Sequence, residues 1–396
     1  MRILVVHCRY QRRGGEDVAV DREMDALERH GATVLRHIAD NAAIEGAGSL
    51  RTAARAIWST DAYRDVQRAI AVHRPDVVHV HNTFAYLSPS VLAAAHATGT
   101  PVVQTLHNYR LACPGGLLTR NGAACEDCVG RQAKWPALVH GCYRDSKSAT
   151  AVVMAMLAFH EARGTWNRDV DLFLAPSPAA RDVLLRVGLP ASRTMVKPNF
   201  VPDPGAGAAS WGGPRSGAVA VARLDKEKGL RFLVDLWRGV DMDLTIIGDG
   251  PLRQVLEESD NPRIRFAGAR TSDEVSNALA SAELLLVPSL FQETFALVAV
   301  EAQAHGVPVM ASDLGACRDW ITPGWDGFLV PPGDAEAWRA ALTRWRALSR
   351  DERAAMGGRA RAAYDAVHRP ERVVQYQISL YEGLLTGRRA HEIGQA

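Results

Sequence analysis

The chain has 396 residues, 47% hydrophobic and 23% charged, an ordinary soluble balance at a length that suits two domains rather than one. Its net charge of +2 argues against a dedicated nucleic-acid binder. The charge is uneven: Met1–Phe200 holds 24 basic and 18 acidic residues, leaving 22 and 26 of the totals of 46 and 44, and the modestly basic first half suits an acidic acceptor or a membrane surface.

Met1 to Val6 is too short for a signal-peptide core, and the longest apolar stretch, Ala149 to Phe159, is about half a membrane helix. The expected location is therefore cytoplasmic, with peripheral membrane contact compatible. Ile3 to Val6 reads as a strand, Arg12 to Glu16 (RRGGE) as a glycine turn, and Val20, Met24 and Leu27 as one face of a helix that stops at Gly31. Gly14 and Gly15 either form a tight loop or let backbone N–H groups approach an anion.

Asp76 to Asn82 (DVVHVHN) and Pro101 to Asn108 (PVVQTLHN) read as buried strands ending in His and Asn. His79 and His81 alternate with valines, so at least one is expected inside as a satisfied core histidine. His107 ends its strand where the chain turns into Asn108-Tyr109-Arg110, the edge where ligands of open α/β sheets gather.

Next come Cys113, Cys125, Cys128 and Cys142, spaced C-x11-C-x2-C-x13-C, with Asn121-Gly122 as a turn before the close pair. Three readings stay open. Four thiolates, with His140 as a substitute, suit a structural zinc ion; free thiols or disulfides are the alternatives. Cys8 and Cys317 show no pairing pattern.

Pro202 to Gly217 is Gly-, Pro-, Ala- and Ser-rich and reads as a linker. It divides a first domain, 1–201, with a cysteine-bearing insert at about 109–145, from a second, 218–368. Val219 to Leu230 (VAVARLDKEKGL) is a strand that breaks into Arg223 and Lys228-Gly229, two cations on a loop suited to a diphosphate or simply solvated. Leu244 to Gly250 (LTIIGDG) is another strand ending in a glycine turn at Gly248. The apolar run Ala282 to Val287 enters a loop, Ser289 to Thr294, and a helix is expected to start just after Glu293, around Phe295 and Ala296. Its N-terminal amides would point out of the carboxyl edge of the sheet, with Glu301 nearly two turns further in. Two ionised carboxylates there would accept hydrogen bonds from ligand hydroxyls, or else lie on a solvated helix face. An amphipathic helix over 369–386 and a tail, 387–396, close the chain.

Arg223, Lys228-Gly229, Gly248-Asp249-Gly250-Pro251, the Glu293/Glu301 pair, His305-Gly306-Val307-Pro308-Val309 and Gly327-Phe328-Leu329-Val330-Pro331-Pro332 occur in an order and spacing that resemble the donor domain of family-4 retaining glycosyltransferases. The likeness spans most of Val219 to Asp334. It implies an α/β fold of GT-B type, two Rossmann-like domains facing across a cleft, with the last helix crossing back to the first domain. It also implies a hexose-type sugar moved from a nucleotide-diphosphate sugar, such as a UDP or GDP sugar, to a small-molecule or glycan acceptor without a catalytic metal.

On this resemblance His107, Arg223, Lys228 and Glu293 are the catalytic set, with Glu293 on the hexose hydroxyls and His107 bracing the donor. Gly14, Gly15, Gly248, Thr294, Phe295, Ala296 and Glu301 bind the donor, Glu301 through the ribose. The cysteine-bearing insert resembles that of a bacterial subgroup. Two positions depart from the pattern: Ala296 stands where many members have glycine, and Gly315-Ala316 leads to Asp319 where Gly-Gly and a glutamate are common. The competing readings are a sugar-nucleotide 2-epimerase, a zinc-containing nucleotide-binding protein without turnover, and a nucleic-acid regulator, which would need a basic helix beside the cysteines that the sequence lacks.

Overall fold

The computed structural model describes residues 1–11, 14–44, 49–205, 207, 211 and 213–388. Arg12 and Arg13 of the expected glycine turn, parts of the linker and the tail from 389 onward lie outside the described residues. By internal contacts the chain forms two units, one of Met1–Leu118, Glu126–Asn199 and Glu371–Ala396, the other of Thr119–Cys125 and Phe200–Pro370.

In the first unit β1 (Arg2–Arg9), β2 (Thr33–Asp40), β3 (Val77–Val80) and β4 (Val102–Thr105) belong to one six-stranded sheet. A two-residue-stranded hairpin follows, β5 (Thr119–Arg120) and β6 (Ala123–Ala124), counted with the second unit. Asn121 and Gly122 turn it with φ of 52° and 76°, as an Asn-Gly hairpin turn requires. The sheet is completed by β7 (Leu172–Ala175) and β8 (Thr194–Val196), in the order β2-β1-β3-β4-β7-β8, parallel throughout. β3 and β4 are buried at every residue, because a parallel sheet with crossover helices is covered on both faces.

The second unit contains β9 (Ala218–Val221), β10 (Leu244–Ile247), β11 (Ile264–Gly268), β12 (Leu284–Val287), β13 (Val309–Ser312) and β14 (Gly327–Val330). Their order, β11-β10-β9-β12-β13-β14, is again wholly parallel and is the doubly wound arrangement of dinucleotide-binding sheets. The order reverses between the neighbours β9 and β12, so the loops leaving these two strands flank the crevice in which such sheets bind ligands. In the first unit the same reversal falls between β1 and β3.

The last helix, Pro370–Leu385, belongs to the first unit. Its Val373, Val374, Leu380 and Tyr381 are buried. Among the described residues no helix is long and apolar enough to cross a membrane.

Candidate functional site

In the second unit the β9 loop carries Arg223, a single helical turn Lys226–Lys228, and Gly229. Gly229 has φ 68°, and a Cβ there would lie 1.9 Å from the Pro288 carbonyl oxygen, so only glycine lets this loop press against the end of β12. The Leu290 amide donates to the Glu227 carbonyl at 2.8 Å and fastens the two loops together. Their side chains meet as well: Lys228 Nζ lies 2.9 Å from Glu293 Oε1, which also accepts from Ser289 Oγ at 2.6 Å. The ammonium sits 4.7 Å from the centre of the Phe291 ring. Arg223 is more open and pairs with Asp225 and Glu227 of its own loop.

The helix after β12 is Leu297–Ala304, starting later than the sequence pattern suggests. Ala296 is its N-cap in the left-handed conformation, φ 58° and ψ 57°, and caps it with no side-chain hydrogen bond. That conformation is the natural preserve of glycine, which accounts physically for the residue expected here. Phe295 is buried against Trp320, whose indole N–H donates to the Phe295 carbonyl at 2.8 Å; Thr294 and Glu301 are half-buried. Gly315 lies directly beneath Glu293: its φ is 53°, a Cβ would stand 2.5 Å from the Glu293 carbonyl oxygen, and the Ala316 amide donates to that oxygen at 2.9 Å. Gly248 is likewise imposed by packing, since a Cβ would fall 1.9 Å from the Ala222 carbonyl oxygen.

In the first unit a cavity of about 50 Å³ lies at the sheet edge, lined by Glu16, His81, His107, Asn108, Arg110 and Trp166 among others. Gly14 is the N-cap of the helix Gly15–Arg29, and its amide donates to Asp17 Oδ2 at 3.0 Å. Neither Gly14 nor Gly15 would meet an atom within 4 Å if given a Cβ, so packing does not demand glycine at either. His107 Nε2 lies 2.9 Å from His81 Nδ1 with the rings stacked. Burial, above all, draws the His107 pKa down to about 3, and burial together with His79 holds His81 well below the usual imidazole range, so both are neutral near pH 7.

Beneath them lies a buried network that sequence reasoning missed. Glu23, 3% exposed, accepts from Lys197 Nζ and from Gln377 Nε2 at 2.7 Å, and its Oε1 lies 3.1 Å from His79 Nδ1. Tyr381 reaches His79 Nδ1 at 2.7 Å, and Thr105 Oγ1 lies 2.7 Å from His79 Nε2. Burial opposes ionisation of Glu23, but Lys197, His79 and His81 outweigh it and hold the carboxyl well below its ordinary range. Among the described residues Glu23, His79 and His81 alone bring three metal-ligating atoms within 4.8 Å of one another, and the Lys197 ammonium already fills the role of a cation there. Lys197, 174 positions away, and Gln377, 354 positions away, gave no local signal.

The cysteine-bearing insert holds the four expected cysteines in two environments. Cys113 and Cys128 are buried, and Cys142 is half-buried with its carbonyl beside Gly115. These three make no group with ligating atoms inside 4.8 Å, and Cys125 ends the hairpin counted with the second unit. The nearby Lys134 ammonium is electrostatically coupled to Cys128 and Cys113.

Comparison with known proteins adds an independent line. A family profile described as Glycosyltransferase Family 4 matches residues 14–203, and one described as Glycosyl transferases group 1 matches residues 215–347. A GDP-mannose-dependent alpha-mannosyltransferase of Mycobacterium tuberculosis is 36% identical over 273 residues, covering 68% of this chain and 64% of the relative. A phosphatidyl-myo-inositol mannosyltransferase of Mycobacterium leprae is 37% identical over 141 residues, 33% of this chain and 38% of the relative. The chain thus spans less than two thirds of either. Among solved structures, sucrose-phosphate synthase from Thermosynechococcus elongatus superimposes with a TM-score of 0.70 at 19% identity, over 98% of this chain and 100% of that one. Anabaena Alr3699/HepE in complex with UDP-glucose does so with a TM-score of 0.66 at 18% identity, over 98% and 100%. These likenesses fix the fold as GT-B.

Proposed function

Because the chain belongs to the family-4 glycosyltransferases, we propose that it moves a hexose from a nucleotide-diphosphate sugar to an acceptor hydroxyl with retention of anomeric configuration and without a catalytic metal. The observation that carries this reading is the Lys228–Glu293 pair at the strand-order reversal of the second sheet, backed by Arg223 and the uncapped helix start at Ala296.

The chemistry follows from charge. As the bond from the sugar C1 to the diphosphate oxygen breaks, negative charge grows on the leaving phosphate. Arg223, Lys228 and the first amides of Leu297–Ala304 stabilise that charge more in the transition state than in the ground state. The acceptor oxygen forms its bond to C1 on the face the phosphate leaves, and its proton passes to a phosphate oxygen. Before the donor arrives, Lys228 is neutralised by Glu293. A diphosphate that takes over the ammonium releases the carboxylate to accept hydrogen bonds from the hexose hydroxyls. Glu301 is assigned to the ribose, and His107 to the hexose as a neutral imidazole.

The Mycobacterium tuberculosis relative, named for GDP-mannose, makes that donor the first to try, with UDP-glucose, bound in the HepE structure, second. Incubation of the purified protein with each labelled nucleotide sugar and a panel of acceptors tests the reading. Transfer or slow donor hydrolysis that persists in EDTA supports it. An isomerised donor would indicate the 2-epimerase, and binding without turnover a protein that only holds nucleotide.

A further inference from the structure

Two neutral imidazoles that share a hydrogen bond hold one proton between them, so one ring donates and the other accepts. The direction of that bond decides the chemistry of the second nitrogen on each ring. His81 and His107 are such a pair. They follow β3 and β4, adjacent parallel strands, with His81 Nδ1 2.9 Å from His107 Nε2 and the ring planes 23° apart. Burial, above all, keeps both rings neutral near pH 7. The His81 amide donates to the Val6 carbonyl at 2.9 Å, and Asn82 Nδ2 donates to the Cys8 carbonyl at 2.7 Å, so the His81 ring stands on a backbone tied to β1.

The outer nitrogen of His81 decides between the two directions. Among the described residues His81 Nε2 is buried without a hydrogen-bond partner, and it lies 3.6 Å from Glu23 Oε1. That separation is too long for a hydrogen bond, but the sign of the interaction still counts. Lys197 Nζ and Gln377 Nε2 both donate to Glu23 and keep it a carboxylate. A hydrogen on His81 Nε2 sets a positive atom beside that carboxylate, whereas a lone pair there would set two electron-rich atoms together where no water screens them. The neighbouring rings do not compete for the place. His7, edge-on to His81, has Nε2 2.8 Å from Asp17 Oδ1, and His79 is taken up by Thr105 at one nitrogen and Tyr381 at the other.

We propose that His81 is a positioning residue for His107: Glu23 keeps the His81 proton on Nε2, His81 Nδ1 accepts from His107 Nε2–H, and the lone pair of His107 is thereby fixed on Nδ1. Glu23 and His81 reach the ligand only through His107, as the outer partner of a histidine commonly sets its tautomer. The use of this lone pair rests on the transferase reading, in which it accepts a hydrogen bond from a hexose hydroxyl; the tautomer itself does not.

Long-range proton–nitrogen correlation spectra of the isotope-labelled full chain separate the two imidazole tautomers, with His107→Gln identifying the His107 signals. The wild type should show His107 as the Nε2–H form. In His81→Phe, a ring without nitrogens, the His107 proton should spread over both nitrogens, and kcat/KM for the nucleotide sugar should fall about tenfold, the worth of one hydrogen bond. His81→Asn, whose amide oxygen stands in for the accepting Nδ1, should keep the Nε2–H form and restore kcat/KM. A wild-type His107 protonated on Nδ1, or an unchanged Nε2–H signal in His81→Phe, would overturn the proposal. So would undiminished kcat/KM in a His81→Phe whose His107 tautomer has shifted. The wild-type and His81→Asn spectra decide the matter even where His81→Phe does not fold. A wild type that turns over no nucleotide sugar sinks the transferase reading and the hydroxyl contact with it, while the spectra still judge the tautomer.

Discussion

Lys228 Nζ and Glu293 Oε1 stand 2.9 Å apart although 65 positions separate them, because Gly229 allows the loops after β9 and β12 to touch. On the transferase reading the ammonium exchanges this carboxylate for a diphosphate. Lys228→Ala is expected to lower kcat about a hundredfold or more, the usual loss for one transition-state charge contact. Steady-state kinetics with the preferred donor checks it, and near-normal turnover would remove Lys228 from the catalytic set.

Glu301 sits one turn inside the helix Leu297–Ala304. If it holds a ribose diol, Glu301→Ala should weaken donor binding by roughly tenfold or more, the worth of a charge-assisted hydrogen bond, with a smaller effect on kcat. Titration calorimetry with the nucleotide reads this directly; unchanged affinity would rule out the ribose role.

Ala296 holds a left-handed backbone that costs an L-residue about 1–2 kcal/mol. Ala296→Gly removes that cost and gives back part of it as chain entropy in the unfolded state, for a net gain of about 1 kcal/mol or less. Ala296→Val should destabilise. Urea midpoints of the two variants should move in opposite directions, and a loss of stability in the glycine variant would contradict the backbone argument.

The buried histidines set an acid limit. His81 and His107 have folded pKa values below 6.5, so on acidification the unfolded chain takes up protons that the folded chain refuses. Their stabilising contribution is present above about pH 6.5 and is lost progressively towards pH 3, by at most about 1.4 kcal/mol per pH unit for each. Glu23, whose pKa is also depressed, adds to the loss below its unfolded value near 4.5. Thermal unfolding between pH 7 and 4 should show this slope, and His107→Gln should flatten it. Equal slopes for wild type and variant would refute the assignment.

The insert cysteines have the spacing of a zinc site, and no three of their sulfurs lie within 4.8 Å of one another. Elemental analysis of freshly purified protein should find less than one zinc per chain, and Cys125→Ser/Cys128→Ser should leave metal content unchanged. Stoichiometric zinc that the double variant loses would reverse this.

Arg223, Lys228, Gly229 and Gly248 stand out in the sequence because each lies in a short loop after an apolar strand, where a glycine or a cation is conspicuous. The helix start could not, since Ala296 gives no hint of its positive φ. His79 and His81 were less fully legible: alternation with valine places at least one of them inside, and both are buried, His79 on β3, which is covered on both sides, and His81 just past its end. Glu23 was least visible of all. On the helix Gly15–Arg29 it looks like one more polar residue, and only the long-range partners Lys197 and Gln377 explain a buried carboxylate.

Gln377 and Tyr381 have a consequence for the order in which the protein is made. The first unit finishes its interior with residues synthesised after the whole of the second, so a nascent chain holds the Glu23–Lys197 pair and His79 without two of their partners until the final helix emerges. Domains generally fold as units during synthesis, the N-terminal one first. Here that sequence is inverted at one point: every segment of the second unit precedes Glu371 in the chain, while the first unit waits for the helix that follows. A premature stop just after Pro370 would therefore leave the first unit, and not the second, without its closing piece.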